Sequence, residues 1–552
     1  MSAKPTPKII RALPERLSET RRNDAYAAGY WREELVTDLL AAHAENHPDR
    51  LAVVDSVHRL TWGELNRLSR RFALHLHEQG FGRGDAIALQ LPNWAEYLVC
   101  YFGIQLAGAV VVQPGSDWRE VETAYALGFG PARAAIIPST FQDFDYQSML
   151  KGLRSTRTAL RSVFVARGEP RGDALSLDAL LRDPIEERVD GDSLDAARHG
   201  PDDVVRLVFT SGTTGLPKAI MHTNNTVAHS SRSLAATFGH DEGDVCLQYV
   251  PLSTNYGAIM GLHLPVTARM PVVLMDRFSA RGALRLIEEE GVSFVPGTPT
   301  GFIALTNAEP ETPRDSSSLR LLMSAGSSFP VPAIHALRKR FGEIFVESYG
   351  MNEFGMGFWC ELDDDPDEVD GSIGRPIRGL TARVVGADGA SLPAGETGEL
   401  AIQSAGMCCG YHDNDPANAA SWDSDGWFYS GDLACVDDRG NFRIVGRSKD
   451  VIIRGGANVS PREVEEALSS HPAVREVAVV GLPDAYYGEI VCACVIPVPD
   501  MSLSSDEARS FLGAKLARFK LPERVVVLPA FPRNSMGKVQ KAALIEQVQG
   551  QL

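Results

Sequence analysis

The chain has 552 residues, more than one hydrophobic core ordinarily serves, so at least two domains are expected. Its 44% hydrophobic and 23% charged residues are those of a globular protein. A formal net charge of −17 argues against nucleic acid as a partner, because such a partner demands a basic face.

The opening residues, Met1 to Lys8, lack the apolar centre of a secretory signal. Leu51-Ala-Val-Val54 reads as a strand. Thr61-Trp-Gly-Glu64 has the form of a capping box, opening a helix that ends near Gly80. Ala86 to Leu91 reads as a strand and Ala95 to Leu106 as a helix. The most apolar stretch, Leu98 to Val112, contains Gln105 and is too short to span a bilayer, so a buried helix followed by a strand is expected. The polar stretch Asp190 to Asp203 reads as a surface connection before a strand at Val204 to Phe209. This alternation implies an α/β fold: a large N-terminal domain, residues 1–446, of mixed sheets covered by helices. Arg338-Lys339-Arg340 reads as the solvated side of a helix.

Beyond Arg447 a small α+β domain, residues 447–552, is expected. Ser460-Pro-Arg-Glu463 has the form of a second capping box, opening a helix through Leu468. Strands are read at Val474 to Gly481, Ile490 to Val498 and Arg524 to Leu528, with a helix from Ser505 to Ala517. The eight cysteines show no zinc-ligand spacing, and Cys492-x-Cys494 points both thiols the same way in a strand; free, reduced thiols and a cytoplasmic protein are expected.

Thr210-Ser211-Gly212-Thr213-Thr214-Gly215-Leu-Pro-Lys218 directly follows the strand Val204 to Phe209. Its glycines let backbone approach a polyphosphate, its hydroxyls and N–H groups donate, and Lys218 supplies a point charge. It is not a Walker loop, since the G-x-x-x-x-G-K-[ST] pattern is absent.

With that loop, four further motifs stand in order: Tyr349-Gly350-Met351-Asn352-Glu353, Ser430-Gly-Asp432, Gly446-Arg447-Ser-Lys449-Asp450 with Arg454-Gly455-Gly456-Ala-Asn-Val-Ser-Pro461, and Pro532-Arg-Asn-Ser-Met-Gly-Lys538. Together they resemble the adenylate-forming (ANL) superfamily of acyl-CoA synthetases, aryl-acid-AMP ligases, adenylation domains and luciferases. The resemblance runs from about Leu35 to Lys541. It implies ATP, Mg2+ and coenzyme A as cofactors and a small carboxylic acid as substrate. It implies that Glu353 helps hold Mg2+ and that Tyr349 stacks on adenine opposite Ala325-Gly326-Ser327-Ser328. Asp432 and Arg447 then face the ribose, and Lys538 bridges carboxylate and α-phosphate. Lys449 becomes the pivot of a rotating small domain, and Gly455 and Gly456 lie beside pantetheine. Two departures stand out: Asn352 occupies the place of the usual Thr, and Thr254 the place of a frequent His.

The acid pocket is expected to include Asn255, Tyr256, Gly257, Ser324, Ala325, Gly326, Gly350, Met351 and Gly355. Gly29-Tyr-Trp31 with Leu39-Leu40, and Ile136 to Tyr146, resemble the dihydroxybenzoate-activating enzymes. Asn255-Tyr256 offers a polar handle and an aromatic wall, and Gly257, Gly355 and Gly357 are expected to give the pocket width. A cyclic acid, whether aryl, alicyclic or terpenoid, is the resulting expectation. Gly455-Gly-Ala-Asn-Val-Ser-Pro461 resembles CoA ligases rather than enzymes that load a carrier protein. A carrier-loading ligase, and a non-catalytic nucleotide-binding protein of the same fold, remain alternatives; a phosphotransfer kinase is disfavoured. As an assembly, a monomer or homodimer is expected.

Overall fold

The computed structural model describes residues 10–128, 132–156, 159–209, 217–308, 314–454, 457–484, 486–513, 515–534 and 537–550. Two large sheets share one apolar core. The seven-stranded sheet runs in the order Ala219–Thr223, Val204–Phe209, Val110–Gln113, Ala86–Leu89, Ala134–Pro138, Ser162–Ala166, Leu175–Ser176. It is parallel except for the edge pairing of Ala219–Thr223. Its inner strands are buried on both faces, which is why they read as near-continuous apolar runs rather than alternating ones, with Arg206 the charged exception.

The nine-stranded sheet has the parallel strands Leu321–Ser324, Phe294–Gly297 and Cys246–Gln248 at its middle. Phe345–Met351 and Gly355–Trp359 lie on one side, and Val272–Leu274 and Leu51–Val54 on the other. The helix Ala95–Leu106 is buried from Ala95 through Gln105, as a helix covered on every side must be. Helix Trp62–Glu78 packs against it and starts at the expected capping box. Thr61 Oγ1 accepts from the Glu64 N–H at 3.2 Å, and Glu64 accepts from the Thr61 N–H at 2.9 Å.

A four-stranded antiparallel meander follows: Leu380–Val385, Gly398–Ser404, Phe428–Val436 and Phe442–Arg447. The residues beyond it build their own sheet, with Gly488–Pro497 between Val474–Asp484 and Arg524–Val527. Alternation along Gly488–Pro497 makes two cores. Val491, Ala493 and Val495 pack with Val464 and Leu512 on one face, while Cys492 and Cys494 pack with Leu544 and Val548 on the other. All eight cysteines are free. No helix of the described residues is long and apolar enough to cross a membrane.

Three expectations are corrected. The connection Asp190 to Asp203 contains a short helix, Asp192–Ala197. The helix from Ser505 ends at Gly513 rather than Ala517. The second capping box does not form: Ser460 Oγ donates to the Val445 carbonyl at 2.5 Å, and Glu463 accepts from Lys520 Nζ at 2.6 and 2.7 Å. Tertiary partners outcompeted the local cap.

The two large sheets are tied at Asn93, which follows the strand Ala86–Leu89. Its Nδ2 donates to the carbonyls of Val250 (3.1 Å) and Met275 (3.2 Å), and its Oδ1 accepts from the Leu252 N–H (2.9 Å). Asn93→Ala removes these bonds and leaves the Leu252 N–H without its partner, although Val250 O keeps the bond from Gln248 Nε2, so a loss of about 1–3 kcal/mol in unfolding free energy is expected from urea titration. An unchanged urea midpoint would show that this clamp carries no stability.

Candidate active site

The motifs meet where the parallel strands end, the usual place for ligands in α/β sheets. Phe209 closes its strand there, as do Gly297 and Ser324, while Phe345–Met351 continues into the Tyr349-to-Glu353 motif. The loop residues Thr210, Ser211, Gly212, Thr213, Thr214 and Gly215 lie outside the described residues, as do Gly455 and Gly456.

Asp432 is buried and gathers three elements. Tyr349 donates its hydroxyl to Oδ2 at 2.6 Å, and Arg447 Nε lies 2.7 Å from Oδ1. Asp432 and Arg447 are direct partners across adjacent antiparallel strands, which fixes their pairing. Burial, reinforced by Asp432, pushes the Tyr349 phenol far above its ordinary range, so it stays a donor. Facing this cluster, Ser324 and Ala325 are buried, whereas Gly326, Ser327 and Ser328 are exposed at the end of their strand; Gly326 takes a positive φ of 96°.

Glu353 is buried, and Tyr411 donates its hydroxyl to Oε1 at 2.9 Å. Lys218 Nζ sits 4.5 Å from the centre of the same Tyr411 ring. Burial raises the Glu353 pKa, opposed by the Tyr411 hydrogen bond and the charges of Lys218 and Arg447. A desolvated carboxylate with so little compensation suits a divalent cation. Among the described residues no cluster of three or more His, Cys, Asp or Glu could form a complete metal cage. That donor set fits Mg2+, which keeps waters and phosphate oxygens as ligands and takes few carboxylates.

Tyr411 was absent from the sequence reading. Its backbone segment pairs with the strand after the phosphate loop: the Met221 N–H donates to Gly410 O and the His412 N–H to Ala219 O. This pairing, together with the Cys408 N–H donating to the Glu353 carbonyl at 2.6 Å, brings a tyrosine beside Glu353 and Lys218. The local signal, Gly410 before a helix capped by Asn414, marks a turn but no partner.

Asn352 directs its Nδ2 to the carbonyl of Phe209 at 3.0 Å, tying down the residue that precedes the phosphate loop. Thr254 caps the helix Asn255–Ala258, accepting from the Gly257 N–H at 2.9 Å. The Asn255 amide is committed: it accepts from Arg206 and donates to the Asn352 carbonyl at 3.0 Å. Tyr256 donates its hydroxyl to the carbonyls of Met323 (3.0 Å) and Gly297 (3.3 Å), so its ring is anchored at the strand ends.

The expected width from glycines is overturned. A Cβ on Gly257 would strike the carbonyl of Pro251, one on Gly350 the carbonyl of Gly355, and one on Gly355 would lie 2.6 Å from Ser230 Oγ. Gly357 faces Leu380 and Phe354 in the same way. These glycines permit close backbone packing and add no cavity.

Lys538 reaches the site from the small domain. Its loop closes on itself, the Asn534 N–H donating to Lys538 O and the Lys538 N–H to Asn534 Oδ1, both at 3.0 Å. Gly537 takes a φ of 76°, and a Cβ there would lie 3.5 Å from Thr300 Oγ1 of the large domain. Burial, then the neighbouring Arg447, draws the Lys538 ammonium down to about 8, against the pull of Asp432 and Asp450. Lys449 lies in the one-turn helix Ser448–Asp450 directly after Arg447.

The sequence pattern of the AMP-binding enzymes matches residues 40–412, and that of the AMP-binding enzyme C-terminal domain matches residues 463–538. The chain belongs to this family, the adenylate-forming acid ligases. It is 32% identical over 541 residues to the medium-chain fatty-acid–CoA ligase of Escherichia coli (strain K12), covering 97% of this chain and 94% of that one. It is also 32% identical to the salicyl-AMP ligase / salicyl-S-ArCP synthetase of Mycobacterium tuberculosis (strain ATCC 25618 / H37Rv), covering 95% and 92%. Among solved structures, the anthranilate CoA ligase AuaEII in complex with anthranoyl-AMP superposes with a TM-score of 0.86 at 25% identity, covering 95% of this chain and 100% of that one.

Tyr411→Phe keeps the ring under Lys218 and removes the donor to Glu353. A higher Mg2+ requirement for ATP–pyrophosphate exchange is expected, with about 1–3 kcal/mol of lost stability from the unpaired carboxyl. A Mg2+ titration superimposable on that of the parent would refute the coupling.

Proposed function

We propose that this chain is an AMP-forming acid–CoA ligase that activates a cyclic carboxylic acid. In the first half-reaction the acid displaces pyrophosphate from ATP to give the acyl-AMP; in the second, CoA displaces AMP to give the thioester. The observation that carries this reading is the seating of the Lys538 loop against Thr300 of the large domain, where the charges of Asp432 and Arg447 act on the Lys538 ammonium. Adenylation sets a carboxylate oxygen against the α-phosphate, two anions that repel, and a preorganised cation between them lowers the barrier. Asp432, with its neighbours Tyr349 and Arg447, would hold the nucleoside, and Lys218 and the preceding loop the phosphates. Mg2+, held on one side by Glu353, would neutralise phosphate charge. Tyr256 and Met351 would flank the acid.

The cyclic class is supported by the salicyl and anthranilate relatives and by the anchored Tyr256 ring, and no longer by the glycines. The relatives' names include both CoA and carrier-protein acceptors; Gly455-Gly456-Ala457 in place of a Gly-Gly-Glu-Lys run favours CoA. We place the division between domains at 446/447 and the pivot at Lys449.

Lys538→Ala should cut acyl-adenylate formation by about 10²–10³, the effect of one preorganised contact worth about 3–4 kcal/mol. Thioester formation from pre-made adenylate should suffer far less; equal losses in both half-reactions would remove Lys538 from the role. Because the ammonium is cationic below its pKa of about 8 and neutral above it, kcat/KM for adenylation should fall as pH rises through that value. A flat profile to pH 10 would contradict a Lys538 cation acting in the free enzyme.

Lys449→Pro should spare ATP–pyrophosphate exchange and depress thioester yield, since proline fixes φ near −65° and restricts the residue before it. A variant normal in both reactions would place the pivot elsewhere.

A further inference from the structure

Arg206 stands at the centre of a strand that otherwise reads Val-Val-x-Leu-Val-Phe, and its side chain is wholly buried. It donates a hydrogen bond from Nη2 to Asn255 Oδ1, and the Tyr101 hydroxyl is a further hydrogen-bonding neighbour; Nε and Nη1 have no hydrogen-bond partner among the described residues. The titratable groups around it are the phenols of Tyr97 and Tyr101 and the imidazoles of His222 and His263, with no carboxylate among them. More polar atoms in this pocket of the core lack partners, among them His263 Nδ1 and Gln113 Oε1.

A buried guanidinium without a counter-ion is costly, and an apolar side chain of similar volume would be neutral or stabilising in its place. Its position suggests what offsets the cost. Asn255, which accepts from Arg206, donates in turn to the carbonyl of Asn352, and His222 Nε2 lies 2.7 Å from that same carbonyl. Arg206 is therefore one side chain removed from the Tyr349-to-Glu353 motif, and it lies in the strand that leads into the phosphate loop. Its two unmatched donors lie on the planar fork that pairs with carboxylates.

We infer that Arg206 binds a second carboxylate at the far end of the acid, so that the preferred substrate is a dicarboxylic acid activated at one carboxyl only. This rests on the acid-activating role proposed above and narrows its substrate class. The second carboxylate takes no part in bond making; it pairs with the guanidinium while the first attacks the α-phosphate and pyrophosphate leaves.

The test compares matched acids by ATP–pyrophosphate exchange: benzoate with terephthalate, cyclohexanecarboxylate with cyclohexane-1,4-dicarboxylate, and hexanoate with adipate. The parent enzyme should favour the diacid in kcat/KM by roughly tenfold or more in at least one pair, through KM more than kcat. Arg206→Met should reverse that preference, lowering the diacid by roughly 10²-fold and the mono-acid far less, with no fall in melting temperature. If Arg206→Met does not fold, Arg206→Lys, which keeps the charge and loses the fork, should still narrow the diacid preference. A preference for the mono-acid in all three pairs overturns the inference while leaving acid activation standing. So does an Arg206→Met enzyme that loses both acids of each pair equally. Failure of these and a broad set of other acids to support exchange would overturn the acid-activating role itself.

Discussion

Asp432 is the point through which the parts of this site reach one another. One carboxylate meets Tyr349 from the nine-stranded sheet and Arg447 from the neighbouring strand, and its charge acts on Lys538 from the small domain. The cross-strand register Asp432–Arg447 also sets where the meander ends, because Arg447 is the last residue before the turn Ser448–Asp450. The nucleotide cluster and the connection between domains are thus consecutive in the chain. A change in the pairing of those two strands would move the Asp432–Arg447 cluster and the proposed pivot together.

Much of this fold is legible in the sequence because it is made of local signals. The Thr61 capping box, the mainly apolar run before the phosphate loop and the mainly apolar helix Ala95–Leu106 depend on residues within a few positions. The second capping box had the same local form and did not form. Val445 and Lys520 lie 15 and 57 positions from the Ser460 and Glu463 they engage, and such partners are invisible to a window of four residues. Local pattern gives the helix; tertiary competition decides its cap.

The site divides in the same way. Residues that the family motifs carry, Lys218, Tyr349, Glu353, Asp432, Arg447 and Lys538, are brought toward one another by the strand ends and the meander. The glycines misled because a missing Cβ has two uses, room for a ligand or close approach of backbone, and sequence does not say which. Pro251 and Gly355 carbonyls occupy the space next to Gly257 and Gly350. Tyr411 carried no signal beyond a local turn, since its partner Glu353 is 58 positions away. Arg206 did carry one: a charged residue inside an otherwise apolar buried strand is rare enough to require a reason.

Electrostatically the docked site is unbalanced in a way that its ligands can correct. Lys538 is drawn down by burial and by Arg447 and Lys449, so like charge and desolvation both oppose its docked position. Glu353 is opposed in the other sense, by burial without a full counter-ion. On the proposed reading, ATP would bring negative charge to the first group and its accompanying Mg2+ positive charge to the second, so binding would offset both penalties together. Departure of pyrophosphate takes most of that negative charge away while Lys538, Arg447 and Lys449 remain close. On the proposed reading, mutual repulsion would then favour withdrawal of the lysine loop over its retention. In that account the cations that would promote the first half-reaction, Arg447, Lys449 and Lys538, would also supply the push that frees the site for the thiol.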